Sequence, residues 1–446
     1  MQIDLGQPID PESETCRKLL EQLQGNILKG HGRDHTALIL ISLRSNPEDR
    51  AAFRAFAGKT VTSAQEQSRQ SARRNETGGR EVFGNLFLSV WGYLKLGYPW
   101  SVLQGAFLDP DADSGLLNWF LLGMEHTGWA LADPPRTEWE PQYFERQDAM
   151  LLLACSDRAQ LELAVADAKS EISGFGTVLG DEWGRNLYRS GKAIEHFGFA
   201  DGISQTNFFA VDPAAEGPSR ILFRDALAGN ELAFGSFLVY RKLEQNVKAF
   251  RDAETSIATA IGLNGNDTGR AGAMMIGRFR DGTPLVDSHE PLGLPLPDDH
   301  FDFTQDPVGA RCPFHAHIRK MNPDRNKESR MVRRGVPYGS HDPTQEGVEP
   351  PERGNGLLFL SFQRDIHVQF GEVQKRWANF VDSPKPRVGQ DPLIGQGKVV
   401  TKQKWPLRWG DASAGETECE VGRLVTLKGG EYFFAPSLAF FGALGP

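Results

Sequence analysis

Cys312-Pro-Phe-His-Ala-His-Ile-Arg-Lys-Met-Asn-Pro323, followed after a short polar spacer by Met331-Val-Arg-Arg-Gly-Val-Pro-Tyr-Gly339, is the stretch around which the chain reads most coherently. His315 and His317 are two residues apart. On an extended segment their rings would leave one face while Phe314, Ala316 and Ile318 leave the other. Arg333 follows His317 by sixteen residues, in a run that closes on a Val-Pro-Tyr-Gly turn signal. A neutral imidazole can ligate a metal or a haem iron, and a guanidinium can stabilise a developing negative charge. His-x-His by itself is equally compatible with ordinary hydrogen-bonded structure, so the rest of the chain must decide.

Working outward, two strand–turn–helix units flank this stretch. Ala149-Met-Leu-Leu-Leu-Ala-Cys155 is an apolar strand, Ser-Asp-Arg is its turn, and a helix runs to about Ile172 with Leu161, Ala164, Val165 and Ala168 along one face. Gly356-Leu-Leu-Phe-Leu-Ser-Phe362 repeats the pattern, with Gln-Arg-Asp and a helix through Phe380. Further strands are expected at Ala37–Leu43, Leu86–Val90 and Gly235–Arg241, the last leading into a helix, and a helix is expected to start at Asn46. The Gly-punctuated segment Gln24–Arg33, residues 63–80 and the Pro- and Gly-rich Asp281–His300 read as loops. Glu125–Gln147, with Trp129, Trp139 and three prolines, reads as surface connection. The two units predict an α+β protein with two related domains, each a sheet with helices on one face, divided within residues 203–225 and assigned as 1–205 and 206–446.

Composition narrows the function. The 446 residues suffice for two or three domains, and 39% hydrophobic with 24% charged residues suits a globular core. Lys plus Arg number 49 against 58 Asp plus Glu, a net charge of −9, which disfavours nucleic-acid binding. No run of about 18 apolar residues predicts a membrane span, and the N-terminus carries no basic-then-apolar secretory pattern. Cys16, Cys155, Cys312 and Cys419 form no Cys-x-x-Cys pair, so reduced thiols and a cytoplasmic location are expected.

Gly198-Phe-Ala-Asp-Gly202 completes the constellation. Glycines on both sides can hold Asp201 in a tight turn, although Asp-Gly is also a common plain turn. In this order, Gly-x-x-Asp-Gly, Cys-Pro-x-x-x-His-Ile-Arg and Arg-Arg-Gly-x-Pro-Tyr-Gly resemble the dye-decolorizing peroxidase family. Gln24–Arg33, Gly356–Leu360 and Gly389-Gln-Asp-Pro-Leu-Ile-Gly395 extend the resemblance over nearly the whole chain, closest to the family's longer bacterial and fungal members. The resemblance implies two ferredoxin-like domains with haem b in the C-terminal one, and hydrogen peroxide, dyes and phenolics as substrates. It implies His317 as the proximal iron ligand, with His315 at a variable position. Asp201 and Arg333 match the distal acid–base and its arginine, Leu357 and Phe359 the apolar wall, and Asp391 a partner for the imidazole N–H of His317. Arg319 is a candidate for a haem propionate or for a structural ion pair.

The residue types suit peroxide chemistry. A proton must leave one peroxide oxygen and return to the other, which a carboxylate can do as base and then acid, with Arg333 stabilising negative charge beside it. Unlike a histidine, an aspartate remains a base in mildly acid solution. Dyes too bulky for the pocket would need electron transfer through aromatic residues to the surface, for which Tyr338 and Trp377 are candidates. A haem carrier of the same fold would need His317 but neither Asp201 nor Arg333. A non-haem metal site on His315 and His317 lacks further ligands nearby in sequence. The oligomeric state is not legible.

Overall fold

Two copies of one topology build the molecule. The computed structural model describes residues 3–74, 78–108, 118–263, 267–293, 301–321, 327–397 and 402–444. In the first copy, strand β1 (His35–Leu43) leads through the Pro47–Thr60 helix to β2 (Phe83–Leu88), then β3 (Ala149–Cys155), the Arg158–Ile172 helix and β4 (Gly176–Arg185). A small hairpin follows, β5 (Leu187–Arg189) with β6 (Lys192–Ile194). After the short β7 (Phe223–Arg224), the second copy begins with β8 (Phe234–Gln245) and the Val247–Ala260 helix. It continues through β9 (Val332–Arg333), β10 (Val336–Tyr338) and β11 (Gly356–Gln363), two π-helical turns at Ile366–Gly371 and Val373–Ala378, and, after a hairpin of β12 (Lys402–Pro406) and β13 (Glu416–Glu420), β14 (Val425–Ala435).

Strand order is β2-β3-β1-β4 in the first copy and β14-β8-β11-β10 in the second, all antiparallel, which is the ferredoxin-like arrangement twice. The two sheets are not separate. Phe434 of β14 pairs with Leu88 of β2, and Tyr338 of β10 pairs with Gly184 of β4, so their edges join on both sides. Closing the edges removes unpaired backbone donors and acceptors that would otherwise face water. Gly184 is required there: a Cβ would lie 2.7 Å from Val336 Cγ1.

Helix starts follow local chemistry. Asp157 accepts from the N–H groups of Ala159 and Gln160, Asn246 from that of Ala249, and Asp365 from those of His367 and Val368, each covering donors that a first helical turn leaves unpaired. Ala149–Cys155 is buried throughout, and Leu161, Val165 and Ala168 face the core as their spacing requires. Residues 64–72, expected within a loop, form a helix because Ser63 caps Glu66 N–H and Ala64 and Gln67 pack inward. The Glu125–Gln147 stretch is only partly surface: Trp129 is exposed, but Leu131, Trp139 and Tyr143 are buried. Apolar residues separated by prolines carry no helical or strand period, so their burial was invisible to pattern. Residues 294–300 of the Pro- and Gly-rich stretch and 322–326 of the polar spacer lie outside the described residues. Among the described residues, no helix is long and apolar enough to cross a membrane.

Candidate active site

A second apolar cluster lies beside the main core. It gathers Phe197, Phe199, Phe250, Met274, Met275, Cys312, Ala316, Leu393 and Trp405, and Leu243 of β8 packs against both clusters. His317 belongs to this second region. The expectation of an extended His-x-His segment is corrected: the chain turns at Pro313–Ala316 and His317 starts a short helix, His317–Lys320. The two rings therefore part. His315 is buried edge-on against Trp405, with centroids 4.3 Å apart and Nε2 without a partner. Burial and the charge of Lys320 pull its pKa down to about 3, so it is neutral. Among the described residues no group of three or more His, Cys, Asp and Glu side chains is gathered for a metal ion.

His317 Nδ1 lies 2.8 Å from Oδ2 of Asp391, whose side chain is fully buried while the imidazole stays 30% exposed. The other Asp391 oxygen accepts from the N–H groups of Leu393 and Ile394 at 2.8 and 2.9 Å. Burial alone would raise the Asp391 pKa. The charge and hydrogen bond of His317, with the two backbone donors, outweigh it and hold the carboxyl below its ordinary value. With Nδ1 held by the carboxylate, Nε2 is the nitrogen left for a ligand bond, the arrangement in which an outer carboxylate raises ligand basicity.

Lys320, missed in the sequence, ties this pair down. It is fully buried, and Nζ donates to the carbonyls of Phe380, Ser383 and Gly389, the loop that delivers Asp391. Burial brings its pKa down to about 8, against the opposing pull of Asp391 and Asp382. Only a helical reading of His-Ile-Arg-Lys would have placed it one turn from His317. Arg319, a candidate for a propionate or for a structural ion pair, makes the ion pair. Its guanidinium is 5% exposed and donates to Asp306 Oδ2, Asp306 O and Cys312 O, between the rings of Phe303 and Phe314. Those partners occupy the fork that a propionate would need.

Arg333, Leu357 and Phe359 share a face. Strand alternation puts Leu357, Phe359 and Ser361 on one side of β11, and Arg333 pairs opposite Ser361. Leu358, Leu360 and Phe362 point the other way and are fully buried. Leu357 and Phe359 remain partly exposed. Beneath Phe359, Arg241 of β8 is buried in an ion pair with Asp133 and lies 5.4 Å from the Phe370 centroid.

Asp201 stands on an exposed turn. Gly198 and Gly202 adopt φ of +90° and +75°, which side chains with a Cβ resist. The turn is pinned from below: Glu195 accepts from the N–H groups of Phe197 and Phe199, Arg189 and Arg251 donate to the carbonyls of Gly198 and Phe197, and Asp201 N–H donates to Ala193 of β6. Asp201 Oδ1 accepts from Gly202 N–H at 2.6 Å. Arg333 Nη2 donates to the Ser204 carbonyl at 2.9 Å, and Arg334 donates to the Asn26 and Ile27 carbonyls and to Gln205. These bonds join Gln24–Arg33 and Met331–Gly339 to Ser204 and Gln205, just beyond the Gly198–Gly202 turn. Among the described residues no ion pair joins Asp201 to Arg333.

The two relay candidates differ. Trp377 sits on the second π-helical turn and is partly exposed. Tyr338 is 8% exposed, with Lys242 Nζ 4.9 Å from its ring centroid, and is an interior residue.

Comparison with known proteins identifies the family. A family model described as "Dyp-type peroxidase, C-terminal" matches residues 197–389, which include Asp201, His317, Arg333, Leu357 and Phe359. The "Multifunctional dye peroxidase DyP2" of Amycolatopsis sp. is 35% identical over 100% of both chains. A crystal structure of a DyP-type peroxidase from Anabaena sp. superposes with a TM-score of 0.88 at 34% identity, covering 98% of this chain and 97% of that one. The "Dye-decolorizing peroxidase msp1" of Mycetinis scorodonius is 26% identical over 94% of this chain and 86% of its own. With end-to-end similarity at that level, this chain belongs to the dye-decolorizing peroxidase family.

Proposed function

We propose that this protein is a haem peroxidase that reduces hydrogen peroxide to water and oxidises dyes, phenolics and similar organic reductants. The observation that carries the reading is the His317–Asp391 pair: an imidazole whose Nδ1 is held at 2.8 Å by a fully buried carboxylate, leaving Nε2 for a metal. The family is haem-dependent, and this donor set fits a haem with one protein axial ligand. Leu357 and Phe359 would wall the cofactor. A b-type haem bound there supplies the redox-active iron.

The chain's own residues have separable tasks. His317 holds the cofactor, and Asp391 fixes the tautomer and orientation of its ring. Asp201 takes a proton from one peroxide oxygen and returns it to the other, which departs as water. Arg333 supplies fixed positive charge beside the O–O bond. Four unpaired cysteines support a reducing, cytoplasmic setting.

The test is cofactor retention. His317→Ala should purify with little haem and no sharp Soret band, while His315→Ala, a packing change against Trp405, should keep it. If His315→Ala loses haem and His317→Ala retains it, the ligand assignment is reversed. Haem binding without peroxide turnover would return the protein to the carrier reading.

A further inference from the structure

Inside the closed ring of strands lies a polar group that the peroxidase reading does not use. Tyr143 and Tyr240 are fully buried, with their hydroxyls 2.6 Å apart. Tyr143 Oη also donates to Glu182 Oε1 at 3.0 Å. Because that proton is committed to Glu182, the hydroxyl of Tyr240 is the donor between the two phenols. The result is a directed chain: Tyr240 to Tyr143 to Glu182. Lys242 Nζ contacts Glu182 and Glu140 at 2.8 and 2.7 Å, and Gln142 donates to both carboxylates. Burial and the nearby carboxylate raise both phenols well above their usual range, so both are protonated at neutral pH.

The charges matter. One ammonium faces two carboxylates, the buried Glu182 and the partly exposed Glu140, leaving the cluster at −1. Adding one proton to Glu182 would bring it to zero. A phenol that loses an electron becomes a strong acid and must shed its proton, and here an acceptor with a charge deficit is already in hydrogen-bond contact. The ring of Tyr143 is also clamped: a Cβ on Gly429 would lie 2.2 Å from its Cδ2. Tyr240 and Arg241 are neighbours on β8. Arg241 lies on the outward face, opposite Phe359 in the sheet, and Tyr240 on the inward face opposite Leu360. The chain of phenols thus starts one sheet behind the proposed haem wall.

We propose that Tyr143 and Tyr240 form a buried redox site that donates one electron to the peroxide-oxidised cofactor when external reductant is absent. The step balances. One electron leaves the tyrosine pair and reduces the cofactor by one equivalent. The Tyr143 Oη–H bond breaks, and the proton forms an O–H bond at Glu182 Oε1. If the electron came from Tyr240, its own proton moves to Tyr143 in the same shift. A neutral phenoxyl remains, shielded from water, and the oxidising equivalent is drawn away from the porphyrin. The site takes its oxidant from the peroxidase reading and rests on it.

Two arms test the site. In the first, the haem-loaded protein is mixed with peroxide without reductant and frozen for electron paramagnetic resonance. The parent should give a tyrosyl signal that Tyr143→Phe abolishes or moves, and Tyr143→Phe should lose its Soret band several-fold faster. With reductant in excess, its peroxide consumption should match the parent. In the second, the full chain without haem is oxidised by a flash-generated ruthenium oxidant. Long-lived phenoxyl absorbance should form in the parent and be lost in Tyr143→Phe and in Tyr240→Phe. Phenylalanine keeps the ring in place, and circular dichroism checks the fold. If the second arm succeeds while peroxide leaves the loaded parent unchanged, the peroxidase reading fails and, with it, the proposed role, although the site is oxidisable. If peroxide is consumed but the signals are unchanged in both variants, the redox site is overturned and the peroxidase reading stands.

Discussion

His317 and Asp391 are locked together before any ligand is considered, whereas Asp201 and Arg333 stand on exposed backbone and each holds only to main chain. The first pair sits on a short helix and a loop cross-tied by buried Lys320, with every oxygen of Asp391 hydrogen-bonded. The second pair sits on a two-glycine turn and at the end of a two-residue strand. The contrast is between an anchor and a working surface. An axial ligand must be preorganised, since each degree of freedom it keeps weakens the bond. A proton-transfer group must reach its substrate, so its carboxylate cannot be spent on buried partners.

Four substitutions break or sharpen that contrast. The largest effect is expected from Asp201→Asn, which should slow peroxide consumption by ~10²–10⁴-fold, the usual worth of general acid–base catalysis, with haem content unchanged. Parent-like stopped-flow rates in that variant would remove Asp201 from the chemistry and return its turn to a structural role. Arg333→Leu follows, at ~10²–10³-fold in the same assay, the typical cost of losing one electrostatic donor. Loss of haem in either variant would contradict the assignment of these residues to the working surface.

On the anchored side the effect should appear in stability. Asp391→Asn removes a charged, fully buried acceptor and should cost about 1–3 kcal/mol in denaturant unfolding. The pH dependence has a definite sign. Because the folded carboxyl titrates below its ordinary value of 3.8, its contribution is fully present above that pH. It is lost as pH falls through the folded pKa. The difference in Tm between parent and variant should therefore shrink on acidification below 3.8. A constant gap would mean that the carboxylate's charge is not what stabilises the loop. The smallest change is expected from Trp377→Phe, which should slow oxidation of bulky dyes and leave peroxide consumption intact. Equal loss for small and bulky reductants would point to a pocket defect instead.

The sequence alone determined the elements with a clear period and the residues inside continuous motifs. Ala149–Cys155 was legible as a short continuous apolar run, because both of its faces are buried, and the helix to Ile172 and the strand at Gly356 because burial of one face leaves a pattern that side-chain chemistry displays. His317, Asp201 and Arg333 could be named because their neighbours form contiguous signatures. Tertiary structure decided what depends on distant partners. His315 and Arg319 share the His317 motif, yet one ended against Trp405 and the other on Asp306, because burial obliges each polar group to find whatever partner the fold provides. Tyr338 reads as a loop-end aromatic, but edge pairing with Gly184 seals it inside. The Tyr143–Tyr240–Glu182 chain draws on residues 39 and 97 positions apart, and the joining of the two sheets into one ring pairs Tyr338 with Gly184 and Phe434 with Leu88, farther apart still. No local pattern encodes such meetings, because backbone pairing between strand edges is indifferent to side-chain identity.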